Sequence, residues 1–326
     1  MTALAQGLVE RLAVVEKIIC PTPVIQLTNN HIDLFTKLEY LNGIGSIKDR
    51  PALWTLKRAI ERGEIESQTT IIESSSGNFA CAIATLAKML EINFIPVIDP
   101  NISPLYESWL RSQCDRVIKV ENHDDTGGFL KSRLCKVQQL KSEISDSYWP
   151  NQYGNPDCME AHYHLTGEEI WQSISSIDYV FLGVSSAGTI AGVSQRLKEH
   201  NANIRIVAVD VEGSVIFRHS LYKRWISGLG SSIIPPLLKH ALIDEVVLVS
   251  EVETIAGCHE LLEKYGLFVG GSSGSAYSAI KQYFAKLNQR TRPRVLFLCC
   301  DRGNAYLNNI FNRRWVEWRV NATDNA

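Results

Sequence analysis

Short apolar runs alternate with amphipathic stretches along most of the chain. The runs that predict strands lie at residues 34–38, 70–72, 94–98, 116–120, 179–182, 205–209, 245–249 and 295–298. The stretches with helical spacing of apolar positions lie at residues 50–62, 78–90, 103–113, 189–200, 252–265 and 274–287. This alternation predicts α/β architecture with central, mostly parallel sheets that are covered on both faces.

Length and composition narrow the class of protein. The chain has 326 residues, with 45% hydrophobic and 21% charged residues and a net charge of −2. We therefore expect about two domains and no nucleic acid or membrane partner. The eight cysteines form no C-x-x-C pair and the N-terminus does not resemble a signal peptide, so we expect reduced thiols, a cytoplasmic location and no metal site.

One lysine follows a glycine-containing turn. Residues 42–51 read Asn-Gly-Ile-Gly-Ser-Ile-Lys-Asp-Arg-Pro, which places Lys48 at the start of a predicted helix. The positive end of the helix dipole disfavours a protonated amine there. A lysine that forms a Schiff base with a carbonyl group requires such an unprotonated amine. Taken alone, the segment fits an ordinary surface lysine equally well.

Three further loops join a predicted strand to a helix, where open α/β sheets bind ligands. Residues 73–78, Glu-Ser-Ser-Ser-Gly-Asn, suit a carboxylate, although a plain helix cap explains them too. Residues 183–189, Gly-Val-Ser-Ser-Ala-Gly-Thr, suit a phosphate but match neither an ATPase P-loop nor a dinucleotide fingerprint. Residues 270–276, Gly-Gly-Ser-Ser-Gly-Ser-Ala, form the last loop, for which a tight turn is the alternative.

Together these segments resemble the cysteine synthase family of fold type II pyridoxal-phosphate enzymes, along nearly the whole chain. The family motif Gly-Ser-x-Lys-Asp-Arg stands at residues 45–50. The resemblance implies two α/β domains with pyridoxal 5'-phosphate in the cleft between them. It also implies a small mobile domain at residues 40–151, a large cofactor-binding domain at residues 12–39 plus 152–326, and a homodimer.

The resemblance implies a role for each motif residue, with Lys48 as the catalytic lysine. The implied cofactor contacts are Lys48, Asn78, Ser185, Ser186, Ala187, Gly188, Thr189 and Ser272. The implied substrate contacts are Ser75, Ser76, Gly77, Phe79, Arg133, Gln152, Tyr153 and Ser185. Ser272 would face the pyridine nitrogen, where a serine makes the ring a weaker electron sink than an aspartate would, and this suits loss of a β-leaving group.

Departures from cysteine synthases indicate a branch of the family. Ser185 stands where they have the first glycine of Gly-Thr-Gly-Gly-Thr, and Tyr153 stands where phenylalanine is common. Residues 127–133, 162–164, 213–217 and 301–307 resemble N-(2-amino-2-carboxyethyl)-L-glutamate synthase of staphyloferrin B and diaminopropionate biosynthesis. This resemblance implies replacement of phosphate in O-phospho-L-serine by L-glutamate, through an aminoacrylate, for a siderophore precursor. Ala305 departs from the branch, which usually has a basic residue there.

Anionic substrates require cationic or hydroxyl partners, for which Arg133, Ser185 and Tyr153 are the candidates.

Three other functions stay open. One is a cysteine synthase that uses O-acetylserine or O-phosphoserine and sulfide, and another is a threonine dehydratase or serine deaminase. The third is an inactive paralogue that binds the cofactor and acts as a regulator. A packed or solvent-facing role is expected for His162 and His164, since Lys48 supplies the base.

Overall fold

A computed structural model describes residues 3–174, 176–285 and 292–323, with side chains from residue 7 to residue 321 within these ranges. The helices are α1 (Ala3–Val15), α2 (Asp49–Glu61), α3 (Asn78–Leu90), α4 (Pro104–Gln113), α5 (Leu130–Glu143), α6 (Pro156–Ala161), α7 (Glu168–Ser173), α8 (Gly188–His200), α9 (Glu251–Tyr265), α10 (Gly271–Ala285) and α11 (Arg313–Thr323). The strands are β1 (Val24–Leu27), β2 (Asp33–Lys37), β3 (Thr70–Ser74), β4 (Asn93–Ile98), β5 (Ile118–Lys119), β6 (Ser147–Tyr148), β7 (Tyr179–Gly183), β8 (Arg205–Val211), β9 (Glu245–Val249) and β10 (Arg294–Leu298).

The described chain divides into two compact units. The first contains the chain up to Cys20 together with Asn42–Ala161, and the second contains Pro21–Leu41 and the chain from His162 onward. No helix in the described ranges is both long and apolar enough to cross a membrane.

The first unit is built on a four-stranded sheet in the order β5-β4-β3-β6, in which every pair is parallel. The central strands β3 and β4 are buried almost throughout because helices cover them. Ile72 of β3 and Val97 of β4 pack in one cluster against Val137 and Leu140 of α5. The strands therefore end together at one edge of this sheet.

The second unit is built on a six-stranded sheet in the order β1-β2-β10-β7-β8-β9. Only β1 and β2 pair antiparallel among the described strands. Phe181 of β7, Val207 of β8 and Phe297 of β10 form its core with Tyr277 and Ile280 of α10. The predicted α/β class with mostly parallel sheets is confirmed.

The predicted strands and helices are all present, with shifts at their ends. The strand predicted at residues 116–120 is reduced to β5, and the helix predicted at residues 274–287 begins earlier, at Gly271; its last two predicted residues lie outside the described residues. The sequence pattern did not indicate β1, β6, α5, α6, α7 or α11. Helix α5 buries only Leu130, Val137 and Leu140, so its apolar stripe is too thin to stand out.

The boundaries of the two units lie at other residues than the expected 40–151 and 12–39 plus 152–326. Residues 12–20 and 152–161 belong to the first unit. Helix α1 packs on α2 and α3, with Arg11 Nε donating to Leu90 O at 2.9 Å. Helix α6 packs on α2, where Arg62 Nη2 lies 2.8 Å from Asp157 Oδ2. The expected mobility of the smaller unit stays a prediction.

A buried ionic network lies at the end of β2 in the second unit. The side chains of Lys37 and Glu39 are fully buried. Lys37 Nζ donates to Glu169 Oε2 at 2.7 Å and to Thr22 O at 2.8 Å, and the Thr22 hydroxyl donates to Glu39 Oε1 at 2.6 Å. Such a network is tolerable only while each charge keeps its partners.

We expect Lys37→Met to lower the free energy of unfolding by about 3–5 kcal/mol, because it removes a buried cation that contacts both Glu39 and Glu169. Urea denaturation measures this. The control is Lys281→Met, whose partner is Glu260 and whose side chain is 55% exposed, and it should change the same quantity by less than about 1 kcal/mol. Equal effects of the two variants would contradict the importance of the network.

The first unit buries one carboxyl group within its sheet. Glu73 of β3 is fully buried, and its Oε1 accepts from the Ser74 amide at 2.7 Å and from Trp149 Nε1 at 3.3 Å. Burial raises the pKa of Glu73 to about 7, against the lowering effect of Trp149 and of the Ser74 and Gln152 amides. The folded chain therefore favours the protonated form of this side chain.

This raised pKa should make stability depend on pH in a defined direction. Between the ordinary glutamate pKa of 4.5 and about 7, the folded chain holds a proton that the unfolded chain has released, so stability falls as pH rises. We expect the unfolding free energy of the wild type, relative to Glu73→Gln, to fall by about 2 kcal/mol from pH 5 to pH 7.5. Denaturation curves at several pH values measure the difference. A difference that is constant with pH would refute the assignment.

Candidate active site

The loop before Lys48 is held by the side chain of Asp49, the first residue of α2. Asp49 Oδ2 accepts from the amides of Ile44 at 2.8 Å and Gly45 at 2.9 Å, and the Ser46 hydroxyl donates to Oδ1 at 3.2 Å. Gly45 has a φ of +124°, which side chains other than hydrogen disfavour. Burial raises the pKa of Asp49 to about 6, while these amides lower it. Lys48 thus stands at a helix start, as predicted, on a fixed main chain.

The predicted carboxylate loop joins β3 to α3. Ser75 is buried; its amide donates to Val97 O at 3.2 Å, and its hydroxyl accepts from the Ala80 amide at 3.2 Å. The first amides of α3, which begins at Asn78, have no acceptor within the helix. These amides and the helix dipole favour an anion at this point.

Three other predicted substrate residues belong to the same region. A methyl group added to Gly77 would meet no atom of the described chain within 4 Å, so there is open space beside it. Gln152 is buried and its Nε2 donates to Ser74 O at 3.2 Å. The side chain of Phe79 is only 2% exposed, so a ligand contact would involve its main-chain amide. The predicted substrate contacts of all three stay predictions.

Asn78, predicted to bind the cofactor ring, is oriented by a residue that the sequence did not single out. The hydroxyl of Tyr106 in α4 donates to Asn78 Oδ1. With Oδ1 facing this hydroxyl, the Nδ2 end of the amide points the other way as a donor. Tyr106 has no motif around it, and only the packing of α4 on α3 brings it here.

Arg133 lies beside the carboxylate loop in a cluster of polar side chains. Its Nε lies 3.0 Å from Asp99 Oδ2, with side chains that are 11% and 7% exposed, and the contact is an ion pair without hydrogen-bond alignment. Arg133 Nη1 is 3.5 Å from Ser76 Oγ. Burial raises the pKa of Tyr153, while Arg133 lowers it and Glu73 raises it, so the phenol stays a neutral donor. The structure thus brings together three predicted residues and adds Asp99.

The predicted phosphate loop of the second unit joins β7 to α8. Ser186 and Ala187 are buried, and Ala187 has a left-handed main chain with a φ of +66°. This turn leads directly into α8 at Gly188, so the first helix amides, from Gly188 and Thr189, have no intrahelical acceptor. Ser185 is half-buried and its hydroxyl donates to Gly230 O at 3.1 Å.

His162 supports this loop from a π-helical segment, His162–Gly167. Its ring is 1% exposed; Nδ1 lies 3.0 Å from Thr166 Oγ1, and Nε2 lies 3.2 Å from Thr189 Oγ1. Of the packed and solvent-facing roles expected for this histidine, the structure shows the packed one. The contact with Thr189 is one that the sequence did not predict.

Ser272 stands in the first turn of α10 and is buried. Burial raises the pKa of the nearby Cys300 thiol, and the Ser272 hydroxyl acts in the opposite direction. A Cβ added to Gly183, at the end of β7, would lie 2.5 Å from Leu229 Cδ1 and 3.8 Å from Ser272 Cβ. The second unit therefore places Ser272 close to the start of the predicted phosphate loop.

The residues present fit the pyridoxal phosphate that the resemblance implies. Its phosphate requires donors such as the first amides of α8, and its pyridine nitrogen requires a small polar partner such as the Ser272 hydroxyl. Its ring hydroxyl suits the oriented amide of Asn78, and its aldehyde requires an amine such as Lys48. These assignments follow from the donor types and stay predictions.

Comparisons with known proteins support this fit. The family described as "Pyridoxal-phosphate dependent enzyme" matches residues 15–301. The O-acetylserine dependent cystathionine beta-synthase from Helicobacter pylori is 31% identical, over 90% of this chain and 97% of its own, with a TM-score of 0.84. A hydrogen sulfide-producing enzyme from Fusobacterium nucleatum is 28% identical, over 90% and 99%, with a TM-score of 0.83.

O-ureido-L-serine synthase is similar in fold, with a TM-score of 0.85 at 24% identity, over 92% of this chain and 95% of its own. The family match covers most of the chain, and the strand-to-helix loops that carry the motifs lie within it. The chain therefore belongs to the family of pyridoxal-phosphate dependent enzymes, in the cysteine synthase and cystathionine β-synthase-like group of fold type II.

Proposed function

We propose that the protein replaces the phosphate of O-phospho-L-serine by L-glutamate and so forms N-(2-amino-2-carboxyethyl)-L-glutamate, a siderophore or diaminopropionate precursor. The observation that carries the proposal is the half-buried Arg133 beside Ser76 and Tyr153. A guanidinium and neutral hydroxyls next to a carboxylate loop suit a substrate with a second, larger anionic group.

The bonds that change in this reaction are few. The β-carbon to oxygen bond of O-phosphoserine breaks and phosphate leaves with the electron pair; the glutamate nitrogen then bonds to the β-carbon and loses a proton. The cofactor supplies the electron sink that makes the α-proton of the substrate removable. Lys48 Nζ takes this proton from the α-carbon and later returns it.

The chain holds the substrate through two kinds of group. The amides at the start of α3 and the serines before them bind the α-carboxylate, and Gln152 supports their loop through its bond to Ser74 O at 3.2 Å. Arg133 and the protonated phenol of Tyr153 bind the phosphate. The leaving group is thus stabilised where its charge develops.

Ser185 is proposed to contact the second substrate. Its hydroxyl hydrogen is used by Gly230 O at 3.1 Å, so its oxygen is left as an acceptor for the glutamate ammonium or amine. A glycine at this position, as in cysteine synthases, would offer no such acceptor. The presence of this acceptor therefore favours an amino-acid nucleophile over sulfide.

A second candidate function is a cysteine synthase that uses O-acetylserine and sulfide. The ion pair of Arg133 with Asp99 favours it, because a paired guanidinium offers less charge to a phosphate dianion. The Helicobacter pylori relative is also named as dependent on O-acetylserine. The neutral acetate ester would leave Arg133 with a structural role only.

The decisive experiment offers the purified holoenzyme O-phosphoserine or O-acetylserine, each with L-glutamate or sulfide. We expect phosphate release, with a product of the mass of the glutamate adduct, only from O-phosphoserine with glutamate. Lys48→Ala should lower the turnover at least ~10⁴-fold, because the proton transfer and the cofactor bond are both lost. Phosphate assay and mass spectrometry measure both results.

Two outcomes would contradict the proposal. Cysteine formed from O-acetylserine and sulfide, with no glutamate adduct, would establish the second candidate. Cofactor binding without turnover of any pair would indicate the inactive regulatory paralogue. Arg58→Gln serves as the control for Lys48→Ala, since Arg58 lies on α2 in an exposed pair with Glu61 and should leave turnover unchanged.

We expect Ser185→Gly to lower kcat/KM for glutamate about 10-fold or more, because one hydrogen bond to a charged group is lost. The apparent dissociation constant of O-phosphoserine should change less than about 2-fold. Steady-state kinetics give the first value and an absorbance titration gives the second. Equal losses for both substrates would show that Ser185 only shapes the loop.

A further inference from the structure

The carboxylate of Asp99 ties together two parts of the first unit. Asp99 directly follows β4, and its Oδ2 accepts from the Ser76 hydroxyl at 2.9 Å and lies 3.0 Å from Arg133 Nε. The Asp99 amide donates back to Ser76 Oγ at 3.0 Å, and Oδ1 accepts from the Asn101 amide at 2.8 Å. Both carboxylate oxygens are therefore engaged, and the side chain has little freedom.

We propose that Asp99 is a positioning residue that aims Arg133 at the anionic substituent of the substrate, and so sets the preference for a charged over a neutral β-substituent. The inference rests on the proposed function, in which Arg133 binds the phosphate.

The contacts of the guanidinium give the inference its direction. Arginine reaches from α5 on a long side chain, which costs rotamer entropy to fix. Asp99 holds the Nε side, and the Nη1 atom lies 3.5 Å from Ser76 Oγ in the carboxylate loop. A planar guanidinium held on one edge presents its other edge in one direction. That edge is the one beside the loop that binds the substrate.

The charges around Arg133 and Asp99 explain why the orientation of the guanidinium matters more than the net charge. Arg133 and Asp99 together carry no net charge, and Tyr153 is a neutral donor. Burial raises the pKa of Glu73 to about 7, which favours the uncharged form of its side chain. A phosphate dianion there must be bound by directed hydrogen bonds and not by surplus positive charge. Directed bonds are lost when the donor turns.

The test uses the holoenzyme and the first substrate alone, so that the second substrate does not enter. Absorbance of the bound cofactor is titrated with O-phosphoserine and, separately, with O-acetylserine. We expect Asp99→Asn to weaken O-phosphoserine binding about tenfold or more, and O-acetylserine binding less than about threefold. Asp125→Asn, which removes an exposed carboxylate paired with Lys131, should change neither value.

A purely structural role of Asp99 would weaken both substrates alike, and that result would overturn the inference. In an Arg133→Gln background, Asp99→Asn should have no further selective effect on O-phosphoserine; an undiminished effect also overturns it. If Asp99→Asn does not fold, Asp99→Glu keeps the charge and moves the carboxylate by one methylene. A selective loss of O-phosphoserine binding in Asp99→Glu would support the inference, and equal losses of binding for both substrates would overturn it.

Failure of the proposed function gives a different pattern. A wild type that reacts with O-acetylserine and not with O-phosphoserine ends the proposed function. Inorganic phosphate, added as a competitor of O-acetylserine, then tests Asp99 directly. Competition that is about tenfold weaker in Asp99→Asn than in the wild type supports the positioning role, whereas equal competition in the two proteins rules it out.

Discussion

The parallel order of the strands decides where this protein can bind an anion. A parallel strand must be followed by a crossover, so β3 runs into α3 and β7 runs into α8. Each helix then begins with amides that have no acceptor in the helix, at the edge where its sheet ends. Small residues occupy both junctions, because they allow an anion to approach these amides closely. The carboxylate loop and the phosphate loop follow from this one constraint.

Buried charges hold the site residues in place. Asp49 orders the loop before Lys48, and Asp99 connects Ser76 with Arg133. Burying a carboxylate costs free energy, and at both places main-chain amides or hydroxyls offset that cost. The raised pKa of Asp49 shows that the compensation is incomplete. These side chains therefore shape the loops that contain the predicted site residues.

Much of the fold was predictable because the buried strands of the parallel sheets carry short apolar runs, such as residues 94–98 and 295–298. The elements that were missed have weak patterns: β6 has two residues, and α5 is mostly polar. The expected domain boundaries differ from the observed units at α1 and α6, since their attachment to α2 and α3 depends on packing and on the Arg62–Asp157 pair. No local pattern encodes such contacts.

The sequence by itself determined the contiguous parts of the candidate site. The segments around Lys48, residues 75–78 and residues 185–189 are each one loop, so their residues are neighbours in any fold. The tertiary structure decided which distant side chains join them: Asp99 with Arg133, and Tyr106 with Asn78. The physical reason is that charge pairing and amide orientation act between side chains that only helix and strand packing brings within hydrogen-bond distance.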